Sequence, residues 1–173
     1  MVMTDTFSGI IKASVLGQLA RAGGNFTGTD VLSHDILKNM NEGSGTGAAS
    51  GWCAAATLAI TTSGADIDLA SATDPFGAIG DEVPTMAPTG TKLKVFMIEN
   101  LDATNYVTLK PGAANSVTNW FGAATHTIRI PALGWALFYF DAGQSTLTAA
   151  STDRINITAN TGTCNVKLTY IFG

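Results

Sequence analysis

The residues able to do chemistry are few and scattered. The chain has two histidines: His34 precedes Asp35, and His126 lies between Thr125 and Thr127. A Ser-His-Asp relay needs only a meeting in space. With serine abundant, that coincidence is cheap. The simpler readings are an exposed loop or helix-start residue for His34, and for His126 a partly buried strand residue sharing a face with Ile128 and Ile130. Asp66 and Asp68 fall on one strand face, and Asp81 adjoins Glu82 in a loop. Such pairs are the minimum for acid–base glycoside chemistry or a loop Ca²⁺ site, and they are also common by chance. The glycine-rich run at 43–47 lacks the Gly-Lys-Ser/Thr that would make it a phosphate loop. The expectation is a chain with no catalytic residues, no cofactor and no metal.

Cys53 and Cys164 are too far apart in sequence for the clustered ligands of a metal site. Two readings remain, buried free thiols or one long-range disulfide. The thiol reading is favoured, because Cys164 should share the inward face of Val166 and Leu168. Reduced thiols suit assembly in a reducing cytoplasm. The triplets at 25–27 and 156–158 match the short glycosylation pattern.

The elements that would position these residues are strands. From residue 92 onward apolar and polar residues alternate, cut every eight to twelve positions by turn residues. This spacing predicts strands over 92–100, 105–110, 115–121, 125–130, 134–141, 144–150, 153–159 and 163–172, preceded by 53–62 and 66–70. Val166, Leu168, Tyr170 and Phe172 fall on one face of the last strand, with Asn165, Lys167 and Thr169 on the other. The fold class expected is all-β, a jelly-roll-like antiparallel β-sandwich over 52–173. Residues 1–51 read as an N-terminal extended arm with a glycine-rich linker. Within that arm, 6–24 leans to strand and a loop runs from Gly23 to Asp30. One short helix is expected over 33–43, with Ser33 as N-cap, Ile36, Leu37 and Met40 facing inward, and Gly43 as the stop. Residues 71–91, holding Pro75, Pro84 and Pro88, form the longest irregular stretch, and loops of that length tend to be functional.

Composition excludes other classes. Only 13% of residues are charged and the net charge is −4. The basic residues are scattered singly, which argues against nucleic-acid binding. No apolar run is long enough to span a membrane as a helix. The aromatics say more. Trp120 and Phe121 close one expected strand. Trp135, Leu137 and Tyr139 line one face of another, with Phe138 and Phe140 on the opposite face. A strand apolar on both faces is covered on both. One face should meet the opposing sheet; the other should meet an appended element or a second subunit.

The order of features resembles small virion structural proteins of tailed bacteriophages, of the capsid decoration or cement type. The resemblance runs from about Thr6 and rests on GSGTGAASGW at 43–52, TLA at 57–59, DLA at 68–70, KLKVFMIEN at 92–100, PALGWALFYF at 131–140, TDRINITAN at 152–160 and the closing FG at 172–173. The irregular insertion after DLA departs from the pattern. The resemblance implies a non-enzymatic protein of the particle surface, made in the host bacterial cytoplasm. Its partners would be the major capsid protein and itself, as a homodimer or homotrimer. The contacts it suggests are Phe7, Ile10 and Ile11 in the arm, Pro75, Phe76, Pro84 and Pro88 in the long loop, and Trp120 and Phe121. The alternative in the same setting is a tail or fibre component that binds host-surface glycans, for which an exposed, polar-rimmed Trp120 would be the sign.

Overall fold

The computed structural model describes residues 8–23, 26–42, 48–49, 51–53, 57–69, 92–117, 120–146 and 154–172; over 8–53, 141–146 and 172 the description is of backbone alone. Every element within it is a strand. In chain order they are β1 (Ser8–Gly23), β2 (Phe26–Glu42), β3 (Ala48–Ala49), β4 (Gly51–Cys53), β5 (Thr57–Thr61), β6 (Ala65–Asp68), β7 (Lys92–Asn100), β8 (Val107–Pro111), β9 (Ile128–Ile130), β10 (Trp135–Thr146), β11 (Arg154–Ala159) and β12 (Thr163–Phe172).

They form three sheets. A five-stranded sheet runs β10-β7-β12-β4, with β5 also on β12, and a four-stranded sheet runs β6-β11-β8-β9. Both are antiparallel throughout. Their inner faces share one core, in which Phe96, Ile98, Val166, Leu168 and Tyr170 from the first sheet meet Ile67, Val107, Leu109, Ile155 and Ile157 from the second. This is an all-β sandwich, as expected. The tight turn from β5 to β6 carries the chain between sheets. Its Gly64 adopts φ +77, and a Cβ there would come within 2.7 Å of Thr158 Oγ1 and 2.9 Å of Asn156 Oδ1. Only glycine fits that turn.

The third sheet departs from expectation. β1 and β2 pair antiparallel over their whole length, from Ser8 opposite Asn41 to Gly23 opposite Phe26. At about 3.4 Å per residue, β1 spans roughly 50 Å. The loop expected from Gly23 to Asp30 and the short helix expected over 33–43 are therefore both corrected to strand. A helix of that length is marginal alone. The pairing sets Gly23 opposite Phe26 at the strand ends, which commits the residues that follow to the ladder. The three-stranded sheet shares no ladder with the other two among the described residues.

Two further differences lie in the sandwich. Residues 115–117 and 120–121 do not form the expected strand. Asn115 sits at φ 54 and Gly122 at φ 75, and Ser116 makes only an isolated bridge to Arg154. The two strands expected over 134–141 and 144–150 begin instead as one, β10, whose register against β7 shifts between Tyr139 and Gln144. A bulge absorbs the Asp141, Ala142, Gly143 break that the sequence suggested as an end.

Candidate interaction surfaces

The outer faces of the two sandwich sheets are unlike. On the four-stranded sheet the register aligns Asp66, Asn156 and Lys110 in one row, Thr158, Thr108 and Arg129 in a second, and pairs Asp68 with Arg154. All are polar. Asn156 Nδ2 donates to Asp66 Oδ1 at 2.6 Å, Thr158 Oγ1 donates to Asn156 Oδ1 at 2.7 Å, and Arg154 lies 3.6 Å from Asp68. The two aspartates are thus engaged with their neighbouring strand. The Asn156 amide, mostly buried and donating to Asp66, is not presented as a glycosylation site. Arg129 stacks over Tyr106 at 3.7 Å from the ring centroid.

On the five-stranded sheet the outer face is mixed: the Tyr139, Val95 and Ile171 row is apolar, whereas Thr169 stands opposite Met97, and Glu99 stands opposite both Trp135 and Lys167. Leu137 stands opposite Met97, and Tyr139 opposite Val95, which is opposite Ile171. Val95 is buried by Leu137, Tyr139 and Ile171 packed around it. Met97 is 36% exposed and Trp135 61%. An antiparallel sheet with one free face normally alternates apolar-in and polar-out. Here β10 is apolar on both sides: Phe138 and Phe140 pack against the main core, while Trp135 remains in solvent. The charged pair Glu99 and Lys167, opposite each other in register, borders the patch.

The turn before β10 extends this patch. Leu133 is 67% exposed and sits at φ 53. The Gly134 amide donates to the Pro131 carbonyl at 3.0 Å, closing a four-residue turn with Leu133 in its third place. That place asks for glycine or asparagine, and a branched apolar residue there is strained. Gly134 cannot exchange roles with it, because a Cβ at 134 would meet Pro131 Cγ at 2.6 Å.

The turn is held from below by Asn100, which is fully buried. Its Nδ2 donates to the carbonyls of Asn105 at 2.8 Å and Pro131 at 3.0 Å, and its Oδ1 accepts from the Asp102 amide at 3.1 Å. The Asn100 amide donates to the Gly134 carbonyl at 2.8 Å, and the Leu133 amide to the Asp102 carbonyl at 2.9 Å. Asp102 Oδ1 in turn accepts from the amides of Asn105 at 2.6 Å and Thr104 at 2.8 Å. Those backbone N–H groups, Asn105 first, hold its carboxyl below the ordinary 3.8.

The other expected contacts are placed as follows. Trp120 is half-buried against its own chain, its ring meeting Phe96 at 5.0 Å and Phe138 at 4.8 Å edge to face. Phe121 is only 6% exposed and belongs to the core. This leaves Phe121 almost no surface for a partner, and Trp120 only part of its ring. His126 is exposed on the segment before β9, a correction to the partly buried strand position expected. Ile10 and Ile11 lie in β1, opposite Asn39 and Lys38, and His34 lies in β2 opposite Val15. Phe7, Pro75, Phe76, Pro84 and Pro88, with the acidic pair of the long loop, lie outside the described residues. Leu133, Trp135 and Met97 were not among the expected contacts; the sequence signal for Trp135 was a strand apolar on both faces.

Cys164 is buried and free. Burial pushes its thiol above the ordinary 9.0, and the nearby Asp102 charge adds to this. Cys53 pairs with Tyr170 in register, six residues along β12 from Cys164. The two Cα positions are therefore about 20 Å apart along the strand, beyond disulfide reach. Among the described residues, no three His, Cys, Asp or Glu side chains gather to hold a metal. No helix among them is long and apolar enough to cross a membrane.

No protein-family model, curated protein or solved structure matches the chain.

Proposed function

We propose that this chain is a non-enzymatic assembly protein, and specifically a capsid decoration or cement protein of a tailed bacteriophage. In this reading it stands on the particle surface as a homodimer or homotrimer and bridges subunits of the major capsid protein. The observation that carries the reading is the contrast between the two outer faces. One sheet is capped by rows of polar groups, some of them bonded to one another across strands, and the other, with the turn before β10, presents Leu133, Trp135 and Met97 to solvent. Covering the exposed parts of Leu133 and Trp135 would remove on the order of 250 Å² of apolar surface, favouring association by roughly 6 kcal/mol before ordering costs.

The function follows by mass action. A protein that binds assembled shells and not dispersed subunits stabilises the shell, and many copies multiply modest contacts. The long β1–β2 hairpin supplies reach for a second contact. The jelly-roll arrangement belongs to the same proposal, supported by the β5–β6 turn that passes between the sheets.

The test is co-sedimentation of the purified chain with shells assembled from the major capsid protein of the same source. Retention in the shell fraction, lost on Trp135→Ser, is the expected result. A chain that stays in the supernatant at every concentration contradicts the proposal.

A further inference from the structure

A second surface lies away from the apolar patch. Trp120, Phe121, Thr125, His126, Thr127 and Ile128 line an open depression of about 600 Å³. Its floor includes the Trp120 ring, which is packed among other rings. Edge-to-face contacts with Phe96, Phe138 and Phe140, the last at 5.7 Å, surround the ring, and Phe121 lies beside it at 5.2 Å. Part of it stays open, because Trp120 is only half-buried.

The rim is polar and held as well. His126 Nδ1 lies 2.8 Å from the Phe121 carbonyl oxygen. A carbonyl can only accept, so Nδ1 carries a proton and the Nε2 edge is left to face a ligand. The backbone helps: the His126 amide donates to the Ala123 carbonyl at 3.1 Å. Gly122, at φ 75, lies against this ring, where even a Cβ would come 3.5 Å from Nδ1. Thr125 and Thr127 flank His126 with hydroxyls that both donate and accept. Among the described residues, no lysine, arginine, aspartate or glutamate lines the depression.

We infer that this depression is a binding subsite for one neutral hydroxylated ring, a pyranose residue of a glycan. The chemistry matches part by part. A pyranose has a C–H face that stacks on an aromatic floor, and equatorial hydroxyls that need mixed donors and acceptors at the rim. The described lining is uncharged, which matches a neutral sugar better than an acidic sugar or a phosphate. The packed Trp120 ring and the bonded His126 ring mean that little side-chain freedom is lost on binding. The inference does not depend on the shell-binding proposal, since the depression shares no residue with the Leu133–Trp135 patch.

The test uses the intact chain with the methyl pyranosides of glucose, galactose, mannose and N-acetylglucosamine, followed by saturation-transfer NMR and amide shift mapping. Transfer to the ring C–H protons of at least one sugar is expected, with shifts confined to 120–128. His126→Ala should weaken that binding about three- to ten-fold, the loss of one hydrogen bond. Trp120→Phe, which keeps a ring in the aromatic cluster, should weaken it as well. No transfer from any of the four sugars would overturn the inference. So would transfer undiminished in both variants, which would place the sugar elsewhere.

Discussion

Asn100 and Pro131 are joined by a hydrogen bond of 3.0 Å from the Asn100 side-chain Nδ2 to the Pro131 carbonyl oxygen. The same oxygen accepts from the Gly134 amide. A buried side chain at the end of β7 thus pins the turn that exposes Leu133 and starts β10 at Trp135. Stability and the presentation of the patch meet at this one carbonyl.

Replacing Asn100 should therefore cost more than its size suggests. Asn100→Ala takes the side-chain partner from the Asn105 carbonyl and the Asp102 amide and one of two donors from the Pro131 carbonyl, and should destabilise by about 3 kcal/mol. Asn100→Asp should be at least as costly, because it sets carboxylate oxygen against the carbonyls of Asn105 and Pro131. Urea denaturation midpoints measure both. A loss under about 0.5 kcal/mol for both would mean that the corner does not depend on this side chain.

Asp102 gives the corner a pH dependence. Its carboxyl is held below the ordinary 3.8 by the Asn105 and Thr104 amides. A depressed folded value contributes stability that is present above the unfolded value and lost as pH falls through the folded one. Wild-type stability should decline as pH drops below about 4, and the Asp102→Asn variant should lose that part of the decline. Thermal melts across this range are the measurement.

Leu133 should trade stability for association. Asn tolerates the left-handed backbone that strains leucine. Leu133→Asn should raise stability by about 0.5–1 kcal/mol while weakening assembly. By contrast, Gly64→Ala should be strongly destabilising, since its Cβ would strike Thr158 and Asn156. Differential scanning calorimetry distinguishes the two signs.

Cys164 should be inert in the folded chain. Burial and a raised thiol value both suppress the reactive thiolate. A thiol reagent should label it only after denaturation, and non-reducing mass analysis should find no bond between Cys53 and Cys164.

Much of the sandwich was legible in the sequence. β7 and β12 have the ends expected, because period-two alternation and turn residues agree there. The inward placing of Cys164 with Val166 followed from the same period. The short helix failed because Ile36, Leu37 and Met40 satisfy a helical stripe locally, whereas pairing with β1 is a long-range event that no local pattern reports. The irregular path through 115–121 was hidden for a related reason: Val117 and Phe121 are buried as strand residues would be, but Asn115 turns the backbone left-handed. The apolar outer patch was visible in outline, as a strand apolar on both faces. Leu133 was not visible, because its importance comes from a turn type that only the Pro131–Gly134 hydrogen bond defines.

The most direct test of the central claim is the solution mass of the wild-type chain and of the Leu133→Asn, Trp135→Ser double variant, by sedimentation velocity with and without shells. A wild-type dimer or trimer that co-sediments with shells, beside a folded double variant that is monomeric and unbound, is the predicted result. A double variant that assembles and binds as the wild type does would contradict it, and the apolar face would then have no part in assembly.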